Sequence, residues 1–117
     1  MLRSVRRLRN RRGRELAGEF LAEGRQAVRE ALATDGLVTG VIVADPERHA
    51  DLVEDLDIPV WWGSEAVVRQ LSDTVTPQGV VAVCRQPRFG WEDVEGARLL
   101  VICAQVRDPG NAGTVIR

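Results

Sequence analysis

The sequence predicts an α/β sandwich in which not every strand connection is parallel. Three observations predict it. Runs of branched apolar residues, Val38 to Ala44 and Val80 to Cys84, read as buried strands. Around them apolar residues recur at helical spacing, as in Val28, Ala31 and Leu32, or Val67, Val68 and Leu71. Asp, Gly, Pro or Ser punctuates the junctions between these segments. Alternation of this kind is how strands and helices build stacked layers.

Leu2, Val5 and Leu8 recur every three residues among arginines, which predicts a short helix with one narrow apolar stripe and basic faces. Gly13 is expected to interrupt it, with Leu16 and Phe20 continuing helix-like packing. Residues 1–14 hold Arg3, Arg6, Arg7, Arg9, Arg11, Arg12 and Arg14 and no acid. That segment carries +7 in a chain of net charge −1, so the remainder carries −8. A basic arm on an acidic body suits a polyanion, and its arginines read as RNA phosphate contacts. The plainer alternative is a solvated helix face.

Phe20 to Ala22 reads as a short strand. Gly24 then opens a helix in which Ala27, Val28, Ala31 and Leu32 share one face, and Asp35-Gly36 ends it. Arg25 and Gln26 fall in its first turn, where free backbone N–H groups favour an anion such as an RNA phosphate. Equally, Glu23 and Gly24 simply shape the turn from strand to helix.

Val38 to Ala44 is apolar almost throughout, so both faces should be covered. Asp45-Pro46 looks like an N-cap and first position of a helix whose buried side is His49, Leu52, Val53 and Leu56. His49 reads as a packed or half-exposed helix residue, not a catalyst. Pro59 to Trp62 is a third strand. Its adjacent tryptophans must face opposite ways, one under a helix and one against the other layer. Gly63-Ser64 caps the next helix. Residues 73–79 form a loop. Its Gln78 can donate and accept, as reading a base edge requires, or can satisfy local backbone groups. Residues 85–97, with Pro87, Gly90 and Gly96, are the interdomain linker, and Trp91 is its expected anchor on the first domain.

Cys84 and Cys103 both lie in apolar runs and are expected as buried free thiols in a reducing cytoplasm. His49 and two distant cysteines do not make a zinc site, and no metal is expected. No apolar run approaches a membrane span, so no membrane partner is expected. No signal-peptide core follows the basic start.

Leu99 to Ala104 reads as another buried strand. Asp108-Pro109-Gly110 forces a turn, Asn111 sits as an N-cap, and Ala112 to Ile116 begin a helix. Strand, tight loop and helix start are half of a parallel crossover, which gathers ligands at the carboxyl end of its strand. The run Asp-Pro-Gly-Asn-Ala-Gly-Thr-Val-Ile-Arg at 108–117 resembles the first motif of the SpoU (TrmH) family of RNA ribose 2′-O-methyltransferases, within the SPOUT superfamily. Thr74, Thr76, Pro77, Gln78 and Gly79 match that family's Thr-x-Thr-Pro-Gln-Gly element. Phe20 to Gly24, with Val28 and residues 30–32, resembles the opening of its substrate-binding domain.

The resemblance implies a three-layer α/β/α sandwich, like ribosomal and kink-turn RNA-binding proteins, over residues 1–84. It implies a linker over 85–97, and over 98–117 the first strand and loop of a truncated, knotted methyltransferase domain. The partner it implies is rRNA or tRNA, with Arg25 and Gln78 at the RNA beside the arm. The methyl donor would be S-adenosylmethionine, held by later motifs that this chain does not contain. Asn111 and Arg117 would be the catalytic residues. A guanidinium stays protonated, so Arg117 suits stabilising a developing ribose alkoxide better than accepting its proton. The parent enzyme is expected to be a cytoplasmic homodimer joined through the missing domain, and this chain alone an inactive monomer. Two other classes fit less of the sequence. One is a stand-alone kink-turn-type RNA-binding protein without catalysis. The other is a nucleotide enzyme built on Gly110 to Thr114, which lacks the lysine of a P-loop.

Overall fold

Strand β4 (Val80–Arg85) runs through the middle of a four-stranded sheet. β1 (Glu19–Glu23) and β2 (Val38–Val43) pair antiparallel on its two sides, and β3 (Val60–Trp62) lies parallel to β2 at one edge. This computed structural model describes residues 2–72, 74 and 76–116. Met1, Asp73, Val75 and Arg117, and the side chains of Leu2 and Pro109, lie outside that description.

Side chains alternate across a strand, and β4 uses both faces. Val80, Ala82 and Cys84 pack with Val41 and Val43 of β2 against Val28 and Ala31 of α3 (Arg25–Leu32) and Leu52 of α4 (Ala50–Val53). Val81 and Val83 face the other way. There they join Ile42 of β2, Val68 and Leu71 of α5 (Glu65–Leu71), Val5 of α1 (Leu2–Arg7), and Leu8. Helices thus cover both faces of the sheet, and the architecture is a three-layer α/β/α sandwich.

The apolar stripe of the first helix is real, since Val5 and Leu8 are both buried. Gly13 does not interrupt a helix. It lies inside α2 (Arg11–Ala17), which begins afresh where the side chain of Asn10 accepts from the Gly13 nitrogen at 2.7 Å. The glycine is there for space, because a Cβ would stand 1.8 Å from the Arg7 carbonyl oxygen at the end of α1. Leu16 points into solvent and does not continue the packing. Ser64 caps α5, its Oγ accepting from the Val67 nitrogen at 3.3 Å. The segment after Asp45-Pro46 runs through turns and becomes helical only over Ala50–Val53, so the helix is shorter than its apolar spacing predicts. Of the two tryptophans, Trp61 packs on the second core, whereas Trp62 is 78 % exposed on the edge strand.

The chain divides into two compact units, Met1–Pro87 and Arg88–Arg117. In the second, a 3₁₀ turn spans Trp91–Val94 and helix α6 spans Pro109–Ile116. Four expectations are corrected here. Leu99 to Ala104 forms no strand and is exposed, Ile102 to 88 %. A strand needs a neighbour to take its backbone hydrogen bonds, and among the described residues none pairs with this run. Cys103 within it is therefore exposed, while Cys84 is buried as expected, which pushes its thiol pKa up. Trp91, the expected anchor, is 85 % exposed. Asn111 does not cap the last helix. The helix starts at Pro109, and Asp108 takes the capping role, its Oδ2 accepting from the Asn111 nitrogen at 2.9 Å.

Candidate nucleic-acid interface

Because β1 and β2 both oppose β4, and β3 follows β2, the carboxyl ends of β1, β2 and β3 meet the start of β4 at one end of the strands. Backbone bonds join them there. The Gly24 nitrogen donates to the Val80 oxygen at 3.1 Å and the Ala44 nitrogen to the Gly79 oxygen at 2.8 Å. Three segments far apart in sequence are thereby gathered: the start of α3, the turn at 44–49, and the loop at 76–79.

Arg25, Arg29, Arg48, His49 and Gln78 line a groove of about 450 Å³ at these strand ends. Gln78 organises it. Its Oε1 accepts from the backbone nitrogen of Arg25 at 2.7 Å, taking one of the N–H groups that a helix start leaves unpaired. Gly24 makes room for this. Its φ of +87° suits glycine, and a Cβ there would press to 3.1 Å from Gln78 Oε1. One of the amides offered above as an anion site is thus already occupied by a side-chain carbonyl.

The Arg25 guanidinium reaches back to α4, donating to Asp51 Oδ2 and, at 3.4 Å, to the Arg48 carbonyl. Arg29 lies 3.5 Å from the same Asp51 oxygen. The hydrogen bond from Arg25 holds the Asp51 carboxyl below its ordinary range, and the charges of Arg25 and Arg29 act in the same direction. Arg48 is exposed at the groove wall. His49 is the opposite, only 2 % exposed. Its Nε2 is 3.0 Å from the Gln78 carbonyl oxygen. A carbonyl only accepts, so that nitrogen carries the hydrogen. Among the described residues Nδ1 has no hydrogen-bond partner.

On the far side of Gln78, Glu23 ties the loop to the end of β1. Its carboxylate accepts from the Ser72 hydroxyl and, at 2.7 Å, from Thr74 Oγ1. Glu23 therefore does more than shape a turn.

The arm arginines lie elsewhere. Arg3, Arg6, Arg7, Arg9, Arg11 and Arg12 are exposed, but none lines the groove. Several have local work. Arg6 donates to Gln70 Oε1 at 2.5 Å, and Arg9 to the Gln70 carbonyl at 3.2 Å. Arg11 pairs with Glu15 at 2.7 Å, and that hydrogen bond raises its guanidinium pKa. Arg14 is half-buried and closes the α1–α2 turn through the carbonyls of Leu8 and Arg9, at 3.1 and 3.0 Å. The structure thus brings Arg25 and Gln78 together and keeps the arm apart from them. Asn111 is exposed in α6, and Arg117 lies outside the described residues. Sequence reasoning passed over Arg29 and Arg48 and set His49 aside. Arg29 stands one helical turn after Arg25, a spacing that could have disclosed it.

A family model described as the MRM3-like substrate binding domain matches residues 1–82. The chain is 35% identical over 113 residues to the 23S rRNA (guanosine(2553)-2′-O)-methyltransferase RlmP of Bacillus subtilis, covering 95% of this chain and 43% of that protein. It is 29% identical over 122 residues to an uncharacterized tRNA/rRNA methyltransferase of Synechocystis, covering 100% and 44%. The chain thus spans less than half the length of these relatives. A solved structure of a putative RNA methyltransferase of the TrmH family from Porphyromonas gingivalis matches with a TM-score of 0.68 at 25% identity, over 99% of this chain and 45% of that one. The SpoU methyltransferase AviRb from Streptomyces viridochromogenes, in complex with the cofactor AdoMet, shares the fold with a TM-score of 0.67 at 22% identity, over 80% of this chain and 37% of that one. A sandwich with an arginine-lined groove at its strand ends, matched over most of its length by one family model, leads to a single assignment: the chain belongs to the MRM3-like substrate-binding domain family.

Proposed function

We propose that this chain is the RNA-recognising part of an S-adenosylmethionine-dependent ribose 2′-O-methyltransferase acting on rRNA or tRNA. The observation that carries the reading is the groove itself. Three arginines and a glutamine amide converge at the strand ends, in a chain whose body is otherwise acidic. Phosphates neutralise such a cluster, and the arm arginines Arg3, Arg7 and Arg12 offer a separate basic surface. Domain limits of 1–84, 85–97 and 98–117, and Asn111 and Arg117 at the ribose, follow from the SpoU-like motif at 108–117. The resemblance likewise implies a homodimer built through the methyltransferase part, and two unpaired cysteines suit a reducing cytoplasm. Among the described residues no helix is long and apolar enough to cross a membrane.

The chain's own residues do not fit the methyl donor. The described side chains of 98–116 are exposed or half-exposed and enclose nothing that could hold an adenosine. S-adenosylmethionine would supply the methyl group, and this chain's part is to bind and orient the RNA.

Filter binding of a labelled rRNA transcript over a salt series tests the reading. Affinity should fall steeply with salt, and labelled S-adenosylmethionine should give no methyl transfer with this chain alone. RNA binding that is absent, or indifferent to salt, overturns it.

A further inference from the structure

We propose that His49 is a positioning residue of the RNA groove and acts through Gln78. The inference rests on the reading of the groove as an RNA site. His49 sits at a core position whose shape a phenylalanine or leucine could fill. The imidazole instead brings a buried acceptor, Nδ1, that has no partner among the described residues. What the polar ring gains is the bond from Nε2–H to the Gln78 carbonyl, across 29 residues.

That bond pins the one loop residue that touches both halves of the groove. With its backbone held by His49, Gln78 lays its Oε1 on the Arg25 nitrogen. A backbone N–H only donates, so the amide cannot flip, and its NH₂ end is left over. Among the described residues nothing accepts from that NH₂. Two N–H donors are thereby offered beside Arg25, Arg29 and Arg48 to an acceptor on a nucleotide. The same link sets the start of α3 and, with it, the Arg25 guanidinium. His49 touches no RNA and orders the residues that do.

His49→Phe and His49→Gln decide the matter, with three readouts: thermal midpoint, affinity for an rRNA transcript at fixed salt, and solvent exchange of the Arg25 backbone amide. The phenylalanine variant should fold, with a midpoint lowered by about 4–8 °C as loss of the cap on α3 implies. It should lose about fivefold to tenfold in affinity, the worth of one hydrogen bond, and its Arg25 amide should exchange faster. The glutamine variant keeps a donor and should recover both properties. Affinity within about twofold of the parent chain overturns the proposal, and so does an unchanged Arg25 amide. Loss of folding in both variants also overturns it, since the ring is then a requirement of the core. If the parent chain binds no RNA, the groove reading fails, while the Arg25 amide still reports whether His49 positions Gln78.

Discussion

The side-chain oxygen of Gln78 stands 2.7 Å from the backbone nitrogen of Arg25, 53 residues away in sequence, and caps α3 from outside its own segment. Gln78→Ala should therefore cost about 1 kcal/mol, as loss of a helix cap does, seen as a lower urea midpoint with unchanged slope. Gln78→Glu separates stability from binding. It keeps the oxygen and adds a charge that suits a helix start, so the fold should hold. The same charge repels phosphate, and RNA affinity should drop. Undiminished binding by Gln78→Glu would show that RNA does not approach this loop.

Arg29 and Arg48 line the groove without belonging to the arm. Replacing both with alanine should lower the slope of log affinity against log salt, by about 0.7 for each phosphate of single-stranded RNA that is no longer neutralised. Neutralising Arg3, Arg7 and Arg12 in a parallel variant measures the arm separately. An unchanged slope in either variant removes that surface from the interface.

Asp51 gives the fold a dependence on pH. The hydrogen bond from Arg25 holds its folded pKa below the unfolded value. Its contribution is thus fully present above the unfolded pKa, near 4, and fades as pH falls through the folded one. Asp51→Asn should flatten the acid limb of urea midpoint against pH. At neutral pH it also releases Arg25 and Arg29 from a competing carboxylate, so RNA should bind more tightly. Weaker binding by this variant would mean that the bridge is needed to aim Arg25.

Gly13→Ala tests the approach of α2 to the end of α1. Alanine is better than glycine in a helix by about 1 kcal/mol. Here, however, its Cβ would overlap the Arg7 carbonyl oxygen. Net destabilisation of about 1–3 kcal/mol is expected from the forced backbone shift, read from the thermal midpoint. A gain in stability would place the two helices further apart than the structure does.

Much of the sandwich was legible in the residues. Val38 to Val43 and Val80 to Cys84 carry their own evidence, because branched side chains covered on both faces leave few alternatives to a central strand. Ser64 and the stripe of Val5 and Leu8 were legible for the same local reason. Leu99 to Ala104 misled because apolarity records what a segment would bury, not whether a neighbouring strand is there to receive it. Asp108-Pro109 repeated the cap-then-proline pattern already recognised at Asp45-Pro46, and the familiar Asn111 obscured it. In the groove, Arg25 and Gln78 announced themselves. Arg48 and His49 did not, since their value comes from sheet order. The carbonyl that His49 holds is 29 residues away and leaves no mark in local spacing.

β4 is bonded on both sides and feeds both apolar cores. Neither helical layer can therefore melt by itself without stripping one face of the strand that the other layer depends on. Heating should dissolve residues 1–87 in a single cooperative step, with calorimetric and van't Hoff enthalpies in agreement. The amides slowest to trade their hydrogens for deuterium should be those of Val81 to Val83, which open only when everything does.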